Sequence, residues 1–589
     1  MKRYMKSLTA MTLFCVLAGC GSDDNAKGDG KQAAAGSGDT TYFFGARIIP
    51  GDGSPAMEDT AFVVTGGKFV TIGKRSEVVA PKGAGRIELT DRTVTPVFIN
   101  LQAQPGMNNG KEYGPKNYTN DSVTADLDRY LYYGVYAVLT AGTDAGGTAN
   151  SLRDELKQGK IKGAQLFTAG RGIAAKGGGP EGLGETTIQV SGAADAKSAV
   201  ADLVDRKVDA IKLWMDDGQG RGAKLRPDAY TSAIDEAHKH NLKAVAEVFD
   251  LSDAKDLVKA GIDGFVNSVR DREVDDALIS AMKAKNVFLV PSLTANEAKF
   301  VYADKPGWLG EQTMREVYPA QLAGYLLDDV TINKFKRNPE IGALRQQYAT
   351  ALKNVKKLSD GGVKIALGTN SGAANTYPGY FELRELIAMA DAGMQPMDVI
   401  KAATSVPAEI LGLKDLGSIA VGKTANFLAM PNNPVEKIAN IKDIGILYVN
   451  GSEQERTALI QDIKISTVDL KVTPKERAAA VQADIDAAKK AVEDKLKHYG
   501  PFPLDKTPIV RLTPVPVPLH SRVETKAGPP DKVTVSMNAS AADLKAFYAS
   551  ALEAYKWRAA GACWEKDSPA RRLCVEASRN LAVITITDK

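Results

Sequence analysis

Thr95-Pro96-Val97-Phe98-Ile99-Asn100-Leu101-Gln102-Ala103-Gln104-Pro105 is a β-branched and aromatic run that enters from one proline and leaves at another. That pattern predicts a short buried strand. Gln102 and Gln104 sit two residues apart at its C-terminal end, and in a strand residues i and i+2 point to the same face. Both amides therefore aim at one place. What the later strands bring to that place decides which chemistry the chain can support.

Working outward, residues 96–415 alternate short apolar runs with helical stretches. Gly134–Leu139, Gln165–Thr168, Ala210–Trp214, Lys243–Val248, Gly264–Asn267, Val287–Pro291 and Lys364–Gly368 read as strands, with helices such as Pro227–His240 and Asp253–Ala260 between them. About eight strands in roughly 320 residues predict an α/β fold, a (β/α)8 TIM barrel. Residues 41–95 and 416–465 carry short strands separated by Gly-rich turns and predict a composite β-sandwich domain. Residues 466–519 read as a linker: Pro474–Lys497 is charged and Ala-rich, a solvated helix or helical linker, and Pro501–Pro518 is extended and Pro-rich. Residues 520–589 predict a small C-terminal α+β domain, with a strand at Lys532–Met537, a helix from Ser540 and a hairpin around Ser578-Arg579-Asn580.

The chain of 589 residues has 75 Lys+Arg against 71 Asp+Glu, a formal charge of +4 spread along its length. That excludes the clustered basic footprint of a nucleic-acid partner. No apolar stretch past the N-terminus is long enough for a membrane-spanning helix. The N-terminus itself reads as a targeting segment: Lys2, Arg3 and Lys6, then the apolar Leu8–Val16, then Leu17-Ala18-Gly19-Cys20. This resembles the lipobox of bacterial lipoproteins, which implies that residues 1–20 carry a lipoprotein signal peptide cleaved just ahead of Cys20 and that this cysteine is lipidated and becomes residue one; a plain secretory signal is the alternative. Residues 21–40 then form a flexible tether from a membrane reached through the lipid anchor. Gly21 follows Cys20 with no Asp directly after it, which in Gram-negative terms implies the outer membrane of the cell envelope. Of four cysteines, Cys563 and Cys574 remain for the folded protein. An exported compartment permits a disulfide between them; a metal site is the poorer alternative, with no nearby His.

The series Gly45-Ala46-Arg47-Ile48-Ile49, Thr95-Pro96, Leu367-Gly368-Thr369-x-Ser371-Gly372, Ala402-Ala403-Thr404-Ser405-x-Pro407-Ala408 and Gly417-Ser418 resembles the amidohydrolase superfamily. More narrowly it is similar to the imidazolonepropionase and Xaa-Pro dipeptidase-like branch. The resemblance spans residues 41–465 and not the C-terminal domain. It implies a metal-bound hydroxide attacking an amide, ester or lactam at the C-terminal mouth of the barrel. The family's metal ligands fall here on Gln102, Gln104, Lys212, Glu247, Asn267 and Asn370. Only Lys212, at the place of the bridging carboxylated lysine, is retained. An amide oxygen is a far weaker ligand than imidazole, and Gln and Asn cannot act as general bases. The family zinc site is thus not preserved, and no cofactor is expected. Only four His exist: His238 and His240 close one helix on different faces, and His498 and His520 lie beyond the barrel.

Without metal, Lys212 is expected as an ammonium paired with Glu247, and hydrogen-bonded by Gln102, Gln104, Asn267 and Asn370. An oxygen-rich Ca²⁺ or Mg²⁺ site is the rival. Gly170–Gly184, around Lys176 and Glu181, reads as a flexible loop over the barrel mouth or as an anion nest. Ser371 has no elbow motif and no His to activate it. Trp214, Phe249 and Tyr380 could line a pocket or simply pack. Three functions remain open. The first is a membrane-anchored, catalytically inactive amidohydrolase relative that binds a ligand or partner, including a second copy of itself or an active paralogue. The second is an active hydrolase of carbon–nitrogen bonds (amide, lactam or dipeptide) with an atypical metal or none. The third is a structural envelope protein.

Overall fold

The computed structural model describes residues 39–461 apart from 141, 145 and 181, then 470–499, 522–526, 531–536, 540–554, 557–567, 570–578 and 581–588. The signal, Cys20, most of the tether and Pro501–Pro518 lie outside the described residues. Among the described residues no helix is long and apolar enough to cross a membrane.

The N-terminal strands and those after residue 426 share one sheet. Thr40–Ile48 pairs with Met57–Thr65, which pairs with Lys68–Lys74; Phe427–Met430 lies antiparallel to Thr93–Pro96 and carries Ile446–Val449 and Ser452–Gln454 beyond it. The expected sandwich is therefore a single eight-stranded sheet by hydrogen bonding. The reason lies in Thr40–Ile48, whose register shifts at Phe44/Ala46 and Ala46/Ile48. Gly45 sits there at φ 89°, where a Cβ would lie 2.5 Å from the Thr90 hydroxyl. The bent strand pairs first with Gly85–Glu88 and then with Thr93–Pro96. The curvature brings Phe43 edge-on against Phe427 and Tyr448, with ring centroids 5.4 and 5.3 Å apart, and buries them with Phe62 and Phe69.

The central domain is α/β and TIM-barrel-like. Phe98–Ala103, Val135–Thr140 and Gln165–Thr168 form one parallel sheet. Ala210–Trp214, Lys243–Glu247, Gly264–Val266 and Phe288–Val290 run parallel in a second, which Gly172–Ala175 and Thr187–Val190 extend. Asp209 N donates to Thr168 O at 2.6 Å on one side. On the other, residues 364–371 bridge the sheets: Ala366 N reaches Leu289 O, Leu101 N reaches Leu367 O and Asn370 N reaches Gln102 O, at 2.8–2.9 Å. Helices cover the outside for ordinary amphipathic reasons. Pro227–Lys239 begins with Pro227 and Asp228, ends with His238 and Lys239, and buries Tyr230, Ala233, Ile234 and Ala237 at helical spacing.

Gly170–Gly184 is not one loop. Gly172–Ala175 is a buried strand in parallel pairing with Thr187–Val190, and Gly177–Gly179 border a cavity. Nor is Pro474–Tyr499 a free linker helix. Thr473 and Glu476 cap its start reciprocally, with Thr473 N to Glu476 Oε2 at 2.7 Å and Glu476 N to Thr473 Oγ1 at 3.2 Å. Hydrogen bonds from the Thr473 backbone N–H, the Lys111 ammonium and the Thr473 hydroxyl hold the Glu476 carboxyl down to about 2. Lys111 reaches Glu476 at 3.0 Å and Arg477 reaches Asp328 at 2.7 Å, so the helix is fastened against Asp329–Lys336.

In the C-terminal domain six antiparallel strands carry the helix Ala541–Ala554, which buries Tyr548 and Leu552. Cys563 and Cys574 face each other on paired strands and are disulfide-bonded, with Cα atoms 4.3 Å apart.

Two buried carboxyls bolt the barrel-like domain. Glu382, on Tyr380–Asp391, accepts from Asn100 Nδ2 (2.6 Å), Gly379 N (2.6 Å), Thr369 and Ser371, and so ties the first strand to the 364–371 segment. Glu385 accepts from Leu293 N and Thr294 N, both at 2.7 Å. Burial pushes both carboxyls up to about 7, against those hydrogen bonds. An acid whose pKa is raised by folding stabilises the fold below its ordinary 4.5 and loses that contribution as pH rises through about 7. The stability difference between wild type and a Glu382→Gln/Glu385→Gln variant should therefore change across that window. Urea midpoints that stay parallel from pH 4.5 to 7 would rule the assignment out.

Candidate functional site

Lys212 lies in the middle of Ala210–Trp214 with no exposed surface. Its Nζ is 3.4 Å from Glu247 Oε2 and 3.7 Å from the centre of the Trp214 ring. Strand period places Lys212 and Trp214 on one face, and register sets Trp214 opposite Glu247. Two glycines make the room. A Cβ on Gly142 would lie 2.7 Å from Lys212 Cγ, and one on Gly172 2.1 Å from Trp214 Nε1. Burial pushes the Lys212 pKa down, and the Glu247 carboxylate opposes it by charge and hydrogen bond.

The remaining positions separate into two groups. Asn267 Nδ2 donates to Glu247 Oε1 at 3.4 Å, and Asn267 Oδ1 accepts from Asn296 Nδ2 at 2.8 Å. Asn296 also reaches Ser292 O at 3.0 Å, and the Ser292 hydroxyl donates to Gln102 Oε1. A polar chain thus runs from Lys212 through Glu247, Asn267, Asn296 and Ser292 to Gln102, whose buried Nε2 has no hydrogen-bond partner among the described residues. In the second group Gln104 Nε2 donates to Asn370 Oδ1 at 2.6 Å, and Tyr113 OH donates to Gln104 Oε1 at 2.5 Å. The expectation that Gln102, Gln104 and Asn370 would all hydrogen-bond the ion pair is corrected: Asn267 alone of the four does so directly. The two glutamines find nearer partners in Ser292 and Tyr113, which no local pattern in the sequence marks. Asn370 sits at φ 55°, a left-handed conformation that Asn tolerates, which turns its amide toward Gln104.

Ser371 is fully buried, donates to Glu382 and shares a hydrogen bond with Tyr130, so it is structural. Phe249 packs under the Arg270 guanidinium at 4.8 Å, and buried Tyr380 donates to Glu311 at 2.8 Å. His238 and His240 are exposed and face Asp263 and Glu236 at 2.9 and 3.6 Å.

Above the pair a cavity of about 1420 Å³ opens, reached by Trp214, Glu247, Arg270 and Lys299 from the barrel and roofed in part by Glu476 and Ala480 of Pro474–Tyr499. The donor set does not fit a zinc centre. Among the described residues no group of three or more His, Cys, Asp and Glu could hold a metal ion. A carbamate on Lys212 would need space that the Trp214 indole and Glu247 fill.

Residues 221–453 match the Amidohydrolase family. A 5-methylthioadenosine/S-adenosylhomocysteine deaminase from Bacillus thuringiensis (strain Al Hakam) is 29% identical over 125 residues, 18% of this chain and 29% of that protein. The chain thus spans less than a third of the length of the curated relatives it matches. Among solved structures, a Xaa-Pro dipeptidase with methionine bound in its active site is similar at TM-score 0.57 and 21% identity, over 70% of this chain and 99% of that one. Molinate hydrolase is similar at TM-score 0.58 and 17% identity, over 74% and 98%. An ochratoxinase from A. niger is similar at 0.56 and 18%, over 73% and 100%. The family match places amidohydrolase-like sequence at residues 221–453, and the solved structures show a TIM-barrel-like domain with additional domains.

Proposed function

We propose that this chain is a lipid-anchored envelope protein whose amidohydrolase-like barrel has given up metal-dependent hydrolysis and binds a ligand in the cavity above Lys212. The observation that carries this reading is the Lys212–Glu247–Trp214 contact, which puts an ion pair and an indole where the family resemblance implies a bridging carbamate. The replacement of imidazole by amide at Gln102, Gln104, Asn267 and Asn370 supports it through donor chemistry. Anchoring rests on the lipobox resemblance at Cys20 and implies residence at the outer membrane. A second copy or an active paralogue is the protein partner this reading favours.

The competing reading is a hydrolase of carbon–nitrogen bonds with an atypical metal or none. It draws on the family match at residues 221–453 and on Glu247 bordering the cavity. Assaying the purified chain against dipeptides, lactams, esters and adenosine-type amines separates the two. No turnover above the Lys212→Met/Glu247→Met variant is expected. Turnover that this variant abolishes would establish the hydrolase instead.

A further inference from the structure

Most cations that reach the cavity are already matched. Lys111 meets Glu476 at 3.0 Å, Arg221 meets Glu340 at 3.0 Å, Arg270 meets Asp216 at 2.6 Å, and Arg337 donates to Ala480 O at 3.3 Å. Lys299 differs. Its ammonium has no hydrogen bond or ion pair among the described residues, although it stands on the cavity wall. It is solvent-accessible there, yet protein surrounds it closely. Desolvation, with the Arg270 charge, pushes its pKa down to about 8, while Glu247 and Asp216 hold it up more weakly. Lys334, on Asp329–Lys336, is the other lining cation without such a partner among the described residues, and like Lys299 it is exposed.

A cation left unpaired on the wall of a concave site offers an anchor to an anion from outside the chain. The rest of the wall narrows the anion. Glu247, Asp216 and Asp217 also border the cavity and are matched by Lys212, Arg270 and Lys224, so at Lys299 one negative charge on the ligand is what completes the wall. Phe335 and Tyr325 offer ring surface on the same cavity, Phe335 held at 5.2 Å against the buried Tyr302.

Building on the reading of the cavity as a metal-free ligand site, we propose that it takes an aromatic monocarboxylate, with the carboxylate on Lys299 and the ring against Phe335 and Tyr325. The bond is a charge-assisted N–H···O contact, so the uncharged amide of the same ligand should bind poorly.

Calorimetric titration of the purified full chain with hippurate, with hippuramide and with inorganic phosphate tests this. Hippurate is expected to bind at least about 10-fold more tightly than hippuramide. Lys299→Met should abolish that preference, Lys299→Arg should keep it, and Lys334→Met should leave it unchanged. Hippurate affinity should fall between about pH 7 and pH 9 as Lys299 loses its proton, a change that a merely structural lysine would not produce. Equal binding of acid and amide overturns the proposal. So does a preference that survives Lys299→Met, tighter binding of phosphate, or binding of neither compound. Hydrolysis of hippurate by the wild-type chain would overturn the functional reading above while leaving the Lys299 assignment standing.

Discussion

Glu247→Gln should destabilise the chain by about 3 kcal/mol, read as a lowered urea midpoint at unchanged m-value. The substitution keeps the size of the side chain and an oxygen that can accept from Lys212, but removes what is, among the described residues, the one carboxylate within ion-pair distance of a lysine with no exposed surface. The reverse change is expected to cost less. Glu247 keeps 14% of its side-chain surface and borders the cavity, so Lys212→Met leaves a carboxylate that water can reach. Replacing both by Met exchanges a buried pair for apolar volume and should fall within about 1 kcal/mol of wild type. The pH dependence has a fixed sign. A lysine whose pKa is depressed by folding gains stability as pH rises toward its ordinary 10.5, so the Glu247→Gln deficit should shrink at alkaline pH. Equal costs for Glu247→Gln and Lys212→Met, or a double variant as unstable as Glu247→Gln, would show that the two do not act as a pair.

The sequence marks some of this clearly and other parts not at all. Phe98–Ala103 is readable because prolines bound it and period 2 fixes the face of each side chain. Lys212 and Glu247 can be set against each other for the same reason, since both lie on short buried strands whose faces follow from counting. The partners of the glutamines are not readable. Ser292 is 190 residues from Gln102, and Glu382 is 282 from Asn100. Contacts at that distance leave no periodic trace in a single sequence. Trp214 is visible as an aromatic residue but not as the roof over Lys212, because that depends on two glycines, Gly142 and Gly172, from elsewhere in the chain.

Composition misleads at two places. The Ala-rich Pro474–Tyr499 has a weak apolar stripe and reads as solvated, yet Lys111, Asp328 and Arg337 dock it over the cavity through polar contacts that hydropathy does not register. The Gly-rich run after residue 170 reads as loop, yet its first part is a buried strand. There glycine serves close packing rather than turning, with Trp214 Nε1 pressed where a Cβ of Gly172 would stand. The single curved sheet in place of a sandwich has a similar origin, in the register shift at Gly45.

The second large effect concerns metal. The family resemblance implies a centre of imidazoles and a bridging carbamate. This chain presents four amides, one carboxylate and a lysine already held by that carboxylate and an indole. Two neutral amides on one strand cannot replace a His pair that would bind zinc at neutral pH. The most direct measurement is the metal content of the full chain, expressed with zinc, manganese or iron in excess, desalted, and quantified by mass spectrometry beside the Glu247→Gln variant. Metal far below one equivalent per chain is expected, with the same trace in both proteins. One or two equivalents retained by wild type and lost on Glu247→Gln would contradict it.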